Sequence, residues 1–240
     1  MKKAIVLLAC AGCSNASAPA SRHPEAQPEA RPGSASPLAE AVKDERDRMH
    51  QRLNAIRGIS NAIALSDLPK AQSEAKTLVA IEDPAVLPQW QPFLARIRIA
   101  AIDVVQAKDI AAASTSAVAL GALCGSCHQT VSGHASFAVD EPPPAGKTLA
   151  DQMLSHQWAA ARMWDGLLGP SDERWVQGAQ ALSTIHIDVA ERKLTLEVWT
   201  NRVRELAKTA VNKPAGDGRS ALFGELLNAC AGCHSVIRDR

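Results

Sequence analysis

The sequence predicts an all-α protein with two similar helical halves. Aromatic residues make up only 3% of the 240 residues, Tyr is absent and Ala is abundant. This composition favours helices packed closely on small side chains over a β-sandwich, which is rich in β-branched and aromatic residues. Two segments of similar length, 39–134 and 148–238, read as helical almost throughout, with essentially no strand-like alternation.

Composition and charge exclude several classes of protein. Hydrophobic residues make up 46% and charged residues 21%, which is ordinary for a globular chain and excludes a fully disordered one. The formal net charge is +1, so no basic surface for nucleic acid is expected. No apolar run reaches the roughly 20 residues of a spanning helix, so we do not expect an integral membrane protein.

The N-terminus resembles a bacterial export signal over residues 1–13. A basic head, Met1-Lys2-Lys3, precedes a short apolar stretch that runs from Ala4 to Ala11. Cys10 and Cys13 each follow small residues, as the lipidated cysteine of a lipobox does. A plain secretory signal, cleaved near Ala16 or Ala18, is the alternative. In both cases we expect an exported protein at the periplasmic or outer-envelope face. If Cys10 or Cys13 is lipidated, the lipid would anchor the protein to a membrane.

Two Pro-rich segments divide the rest of the chain. Residues 14–38 contain five closely spaced prolines, which exclude a helix and indicate an extended tether. Residues 135–147 contain a second break, Pro142-Pro143-Pro144, and form the predicted linker. The predicted helical halves are therefore 39–134 and 148–238.

Four of the six cysteines form two identical C-x-x-C-H motifs. The first is Cys124-Gly125-Ser126-Cys127-His128 and the second is Cys230-Ala231-Gly232-Cys233-His234. This pattern is the attachment motif of c-type haem. On a helix the two thiols and the imidazole share one face, so both cysteines reach the haem vinyl groups and the histidine becomes the proximal iron ligand. We expect two haem c groups, held covalently by Cys124, Cys127, Cys230 and Cys233, with His128 and His234 on the irons.

Three other interpretations of the cysteines compete with haem. Disulfides would suit an oxidising compartment, but a C-x-x-C pair within one helix is poorly placed for a structural bridge. Two C-x-x-C pairs could together bind zinc. A redox dithiol of thioredoxin type would need βαβ surroundings, which the sequence does not show.

The position of the motifs narrows the fold. Only six residues follow His234, so a second axial ligand must come from upstream of the motif. In this respect each half resembles the cytochrome c prime family and its low-spin relatives, although each is shorter than a usual member. The resemblance implies two tandem four-helix bundles, each with its haem motif on the last helix.

An internal repeat singles out two candidate distal ligands. His50 lies 74 residues before Cys124, and His156 lies 74 residues before Cys230. His50-Gln51 recurs as His156-Gln157, and Ser66-Asp67 corresponds to Ser171-Asp172, each opening a following helix as a cap. The equal spacing predicts a duplication in which His50 and His156 occupy matching places.

Periodicity supports His156 more clearly than His50. An apolar seam with steps of four and three residues includes His156, with Met153 and Met163 on the same stripe as alternative ligands. In the first half the seam runs through Met49, and His50 lies about 100° round the helix from it. His50 is therefore the first choice on spacing, and Met49 is the alternative on periodicity.

Two further groups of residues are predicted to be mainly structural. The tryptophans of the second half are expected in its core, with Trp164 the best placed of them to stack on the second haem. The arginines of the first helix are expected to form a solvated face, from which one could reach a haem propionate. This second group comprises Arg46, Arg48, Arg52 and Arg57.

These features predict a dihaem electron-transfer protein that serves redox partner proteins and has no catalytic residue. The haem would supply the redox chemistry, and the protein its ligation and tuning. Binding of nitric oxide or carbon monoxide at a five-coordinate iron, as in cytochrome c prime, is the first alternative. A dihaem peroxidase is the less favoured one, because no acidic residue lies on the seam of the second half's first helix.

Overall fold

The computed structural model describes residues 37–83, 87–131, 135, 137, 141–187, 193–213 and 217–238. Within these residues the chain is all-α, as predicted, with eight helices and no strand. The helices are α1 (Pro37–Ala64), α2 (Leu68–Val79), α3 (Gln91–Gln106), α4 (Ile110–Thr130), α5 (Leu149–Leu168), α6 (Asp172–Thr184), α7 (Lys193–Val211) and α8 (Asp217–Arg238). Cys10, Cys13 and almost all of the predicted tether lie outside the described residues.

Side-chain caps start the helices where the sequence predicts them. Asp67 accepts a hydrogen bond from the backbone N–H of Lys70 at the start of α2, and Ser171 accepts one from Arg174 at the start of α6. Both Ser-Asp pairs therefore cap a helix, but the cap is the Asp in the first pair and the Ser in the second. Thr148 and Asp151 form a reciprocal capping box at the start of α5.

The helices of each half pack in chain order. In the first half α1 contacts α2, α2 contacts α3, α3 contacts α4, and α4 returns to contact α1. In the second half α5 to α8 repeat this order of contacts. The halves also contact each other, through α4 with α8, α1 with α8, and α4 with α5. The two helices that carry the cysteine motifs are thus neighbours at the centre of the molecule.

Helices α4 and α8 touch at matching positions of the repeat. A Cβ added to Gly224 would lie 3.4 Å from a methyl carbon of Val118, and each of these residues precedes the first cysteine of its motif by six positions. Gly121 faces Trp164 and Gly125 faces Leu167, so α4 and α5 run in the same direction. Helix α8 runs opposite to α5, because Trp164 of α5 stacks on Phe223 near the start of α8, whereas His156, earlier in α5, interacts with His234 near its end. Helices α4 and α8 are therefore antiparallel, and their motifs lie on opposite sides of the contact.

The last two turns of α5 are buried all round. Every residue from Arg162 to Leu168 is buried, because this part of α5 lies between α6 on one side and the two motif helices on the other. Asp165, with 3% of its side chain exposed, is hydrogen-bonded to Arg57 of α1 at 2.7 Å. The guanidinium of Arg174 lies 3.7 Å from the same carboxylate. This ion pair joins the first half of the chain to the second.

Among the described residues, α4 alone has the length and apolar composition of a membrane-spanning helix. No helix of this kind was expected from the sequence, because the apolar character of α4 is spread over many small residues and not concentrated in one run. A core helix of a globular protein meets the same criterion. Helix α4 contacts α1, α2, α3, α5 and α8, as a core helix does.

Candidate functional site

The cysteines of both motifs are free thiols in buried or half-buried places on α4 and α8. Burial raises the pKa of Cys124 to about 12, and the neighbouring Cys127 adds to the rise. Burial likewise raises the pKa of Cys230 to about 12, with a smaller contribution from Cys233. These thiols stay protonated at neutral pH, whereas a redox dithiol of thioredoxin type has a lowered thiol pKa. The sites therefore differ from a thioredoxin-like dithiol.

The second half brings two imidazoles together. Burial, with a smaller contribution from the charge of His234, lowers the pKa of His156 to about 4. Burial also lowers the pKa of His234. His156 lies on α5 and His234 on α8, two helices in contact, and the two imidazoles are near enough to interact electrostatically. Both are neutral near pH 7, which is the form of imidazole that binds a metal.

The other candidate ligands of the second half occupy different places on α5. Met163 is 1% exposed, and its backbone and side chain lie against Gly178 of α6. This makes Met163 a core residue between α5 and α6. Met153, one turn before His156, is half-buried.

The first half places its two candidate ligands differently. The side chain of His50 is exposed, whereas Met49 is half-buried and packs against the core. The Met49 sulfur accepts a hydrogen bond from a guanidinium N–H of Arg52, with 3.9 Å between the nitrogen and the sulfur. The side-chain positions thus follow the periodicity of the sequence and not the 74-residue spacing. His128 of this half is half-buried near the end of α4.

Arg52 is a buried cation next to the first motif. It is 5% exposed, so the prediction that this residue belongs to a solvated face was wrong. Its guanidinium donates to Asp83, in the segment between α2 and α3, and to Glu45 at 3.4 Å. It also interacts electrostatically with the thiol of Cys124. Little in the sequence indicated that Arg52 pairs with Asp83, because 31 residues separate the two along the chain.

The small residues of the motifs face protein atoms on one side. A Cβ on Gly125 would lie 2.6 Å from the carbonyl oxygen of Leu167, and one on Gly232 would lie 2.6 Å from the indole of Trp199. Trp199, on α7, is therefore the tryptophan beside the second motif. Trp164 packs elsewhere: its ring stacks on Phe223 at a centroid distance of 5.0 Å, between the two halves.

The donor set suits haem better than a bare metal ion. Within the described residues, no group of three or more His, Cys, Asp or Glu side chains is close enough together to hold a metal ion. Two C-x-x-C pairs sharing one zinc ion would form such a group, so the geometry does not support that alternative. Haem needs only the thiols of one motif and one or two axial side chains. Each motif supplies two thiols and one histidine. A neighbouring helix supplies the candidate second axial ligand, which is His156 on α5 in the second half and Met49 or His50 on α1 in the first.

Comparisons with known proteins give no family for the chain. No protein-family model matches it, and no curated protein or solved structure matches it at a significant level.

Proposed function

We propose that the chain is an electron-transfer protein carrying two covalently bound c-type haems, one on each C-x-x-C-H motif. The observation that carries the proposal is the pair of C-x-x-C-H motifs, each on the last helix of its half, with His156 on α5, a helix that contacts the motif helix α8. A neutral, half-buried imidazole on a helix packed against the motif helix is the kind of group that completes a six-coordinate haem. When bound, haem supplies a reversible one-electron change at iron.

In this proposal each residue of the motifs has a defined task. The thiols of Cys124 and Cys127 hold the first haem, and those of Cys230 and Cys233 hold the second. His128 and His234 are the proximal ligands. His156 completes the second site, and either His50 or Met49 completes the first, with the half-buried position of Met49 in its favour.

The architecture that we infer is a tandem pair of four-helix bundles, the fold implied by the resemblance to the cytochrome c prime family. The support is the equivalent order of helix contacts in α1–α4 and α5–α8. The contact between α4 and α8 at matching positions, Val118 and Gly224, is what a duplicated unit packed about a pseudo-two-fold axis produces. The N-terminal signal supports export and a lipid anchor at Cys10 or Cys13, and redox proteins of the envelope are the proposed partners.

Haem counting tests the proposal directly. A pyridine haemochrome assay on the purified chain should give two haems per polypeptide. The paired variants Cys124→Ser/Cys127→Ser and Cys230→Ser/Cys233→Ser should each give one haem, since each motif holds its own. A wild-type count of zero, or zinc in place of iron, would overturn the proposal.

Gas binding at the first haem is the second candidate function, and the exposure of His50 favours it. If neither His50 nor Met49 reaches the iron, that haem is five-coordinate and binds nitric oxide or carbon monoxide. The optical spectrum of the reduced protein distinguishes the two functions. Carbon monoxide leaves the spectrum unchanged when both haems are six-coordinate with strong ligands, and shifts it when one position is open.

A further inference from the structure

Contacts with α5 fix the direction of the first motif helix. The ring of Trp164 on α5 lies against the position of Gly121 on α4 and stacks on Phe223 of α8, so these three residues share one height along the helices. Four residues after Gly121, Gly125 meets the carbonyl oxygen of Leu167, which lies further along α5. The first motif therefore extends from this height towards the end of α5.

The second motif helix extends the other way. Helix α8 begins beyond the end of α5, where Arg219 pairs with Asp172 of α6 at 2.7 Å and its guanidinium lies over the ring of Trp175. Four residues later, Phe223 has come back to the height of Trp164. The rest of α8, with the second motif, therefore continues towards the start of α5.

Helix rise converts this arrangement into a distance. Helices α4 and α8 touch at Val118 and Gly224. His128 lies ten residues after Val118, and His234 lies ten residues after Gly224, in the opposite direction. At a rise of about 1.5 Å per residue, the two histidines are about 30 Å apart along the helix pair.

Each motif is close to the surface at its own end of the pair. Ser126, between the cysteines of the first motif, is exposed. Ile237, one turn after His234 of the second motif, is 47% exposed. The motif histidines themselves are half-buried. A partner protein can therefore approach either motif from its own end of the molecule.

Resting on the proposed dihaem function, we propose that the two haems are independent one-electron sites at opposite ends of the α4–α8 pair. Each exchange changes one iron between Fe(III) and Fe(II), and the electron comes from, or goes to, a one-electron redox protein bound at that end. Electron transfer through protein slows exponentially with distance. Transfer between the haems is therefore slower than transfer between one haem and a partner in contact with it.

The separation also uncouples the two reduction equilibria. Two unit charges about 30 Å apart interact weakly at an effective dielectric constant of about 20. Reduction of one haem should therefore change the equilibrium constant for reduction of the other by less than about threefold. Salt weakens the interaction further, because the separation is several times the Debye length of about 8 Å.

The distance between the two irons tests the proposal without any substitution. Pulsed electron paramagnetic resonance on the full, oxidised, haem-containing chain should give an iron-to-iron distance of about 30 Å. A distance of less than half this value would place the haems side by side and overturn the proposal.

A matched pair of single-haem variants tests independence directly. The pair is Cys124→Ser/Cys127→Ser and Cys230→Ser/Cys233→Ser, and each variant keeps the haem that the other lacks. The sum of their redox titration curves should reproduce the wild-type curve, with each equilibrium constant within about threefold of its wild-type value. In stopped-flow reduction by a small diffusing one-electron reductant, each remaining haem should react at the rate of its own phase in the wild type. Marked slowing of one haem when the other is removed would show that it receives electrons through its neighbour.

Failure of this inference is distinguishable from failure of the dihaem proposal. Absence of covalent haem overturns the proposed function itself. Two covalent haems with close irons, with titration curves that do not add, or with dependent reduction rates overturn independence alone. If a single-haem variant does not fold, the iron-to-iron distance in the wild type decides the question.

Discussion

At the scale of single residues, removal of the half-buried imidazole of His156 has a definite expected effect. In the proposed dihaem protein, His156→Ala deletes the candidate distal side chain, which interacts electrostatically with His234, and opens one axial position of the second haem. The variant should show a high-spin signal in its optical and electron paramagnetic resonance spectra and should bind carbon monoxide at one haem. The covalent haem count should stay at two, because the thiols are unchanged.

The same spectra, with matched variants, distinguish the other ligand hypotheses. Met153→Leu changes a half-buried neighbour one turn away and should leave the low-spin spectrum intact. In the first half, Met49→Leu should open the other haem, whereas His50→Ala, at an exposed position, should not. A low-spin spectrum that survives His156→Ala would exclude this histidine as a ligand.

The burial of Arg52 could not be predicted from local sequence. Arg52 was assigned to a solvated face because charged residues surround it in sequence, but Asp83 pairs with it from a segment that only the tertiary fold brings near. Trp164 lies in the core, as predicted, and its ring fills space opposite Gly121 of α4. The partners of both residues come from other elements, and local periodicity contains no information about those contacts.

At the scale of helices, close approach at glycine sets how tightly α5 and α6 pack. A Cβ on Gly178 would lie 2.4 Å from the carbonyl oxygen of Ala159 and 2.7 Å from the backbone nitrogen of Met163. Gly178→Ala should therefore lower the free energy of unfolding by about 1–3 kcal/mol, because backbone atoms cannot move aside singly. This cost exceeds the roughly 0.5–1 kcal/mol that Ala gains over Gly inside a helix. Thermal denaturation followed by circular dichroism measures the change.

Gly224 provides the matched control for Gly178. It also lies inside a helix at an interhelical contact, but its added Cβ would meet only the two methyl carbons of Val118, at ordinary distances of 3.4 and 3.6 Å. Gly224→Ala should leave the melting temperature unchanged or raise it slightly, since the helix-propensity gain meets little opposing strain. A stable Gly178→Ala variant would show that α5 can move away from α6 at small cost.

The helices themselves were largely accessible from the sequence. Their caps are local hydrogen bonds, so the Ser-Asp pairs at 66–67 and 171–172 marked the starts of α2 and α6 correctly. The seam of α5 also placed His156 on the side that meets α8. In the first half, the periodicity favoured Met49 as the inward-facing residue, and Met49 is half-buried. The repeat spacing favoured His50, whose side chain is exposed. Spacing alone was the weaker guide, because burial depends on which side of the helix a residue occupies.

At the scale of the whole molecule, the packing of the two halves was not predictable. The equal spacings predict a duplication, but the antiparallel contact of α4 with α8 depends on side chains that meet only in the tertiary structure. From the contact at Val118 and Gly224, His128 and His234 each lie ten residues further along their helices, or about 15 Å. The motifs therefore lie at opposite ends of the pair formed by α4 and α8.

The ion pair of Arg57 with Asp165 is expected to stabilise this arrangement in a pH-dependent way. Burial raises the pKa of Asp165 above its ordinary 3.8, and the hydrogen bond and charge of Arg57 oppose the rise. Arg57→Gln removes that opposition, so the pKa of the folded-state carboxyl rises further while the unfolded value stays the same. An acid with a higher pKa in the folded state binds more protons there, so stability falls as pH rises through the interval between the two values.

The loss in Arg57→Gln should therefore depend on pH in a stated direction. Below the ordinary pKa the carboxyl is protonated in both states, and the variant should approach wild-type stability. Towards neutral pH the deficit should grow to about 1.5–3 kcal/mol, the contribution typical of a hydrogen bond to a charged group. Denaturant unfolding at a series of pH values measures this deficit.

Arg202→Gln is the control for Arg57→Gln. It breaks an exposed pair with Glu225 between α7 and α8 and should lower the free energy of unfolding by less than about 1 kcal/mol at every pH. A deficit in Arg57→Gln that is equal at acid and neutral pH would mean that Arg57 contributes through packing on Phe137, whose ring centroid lies 5.6 Å from its guanidinium carbon, and not through the charge of Asp165.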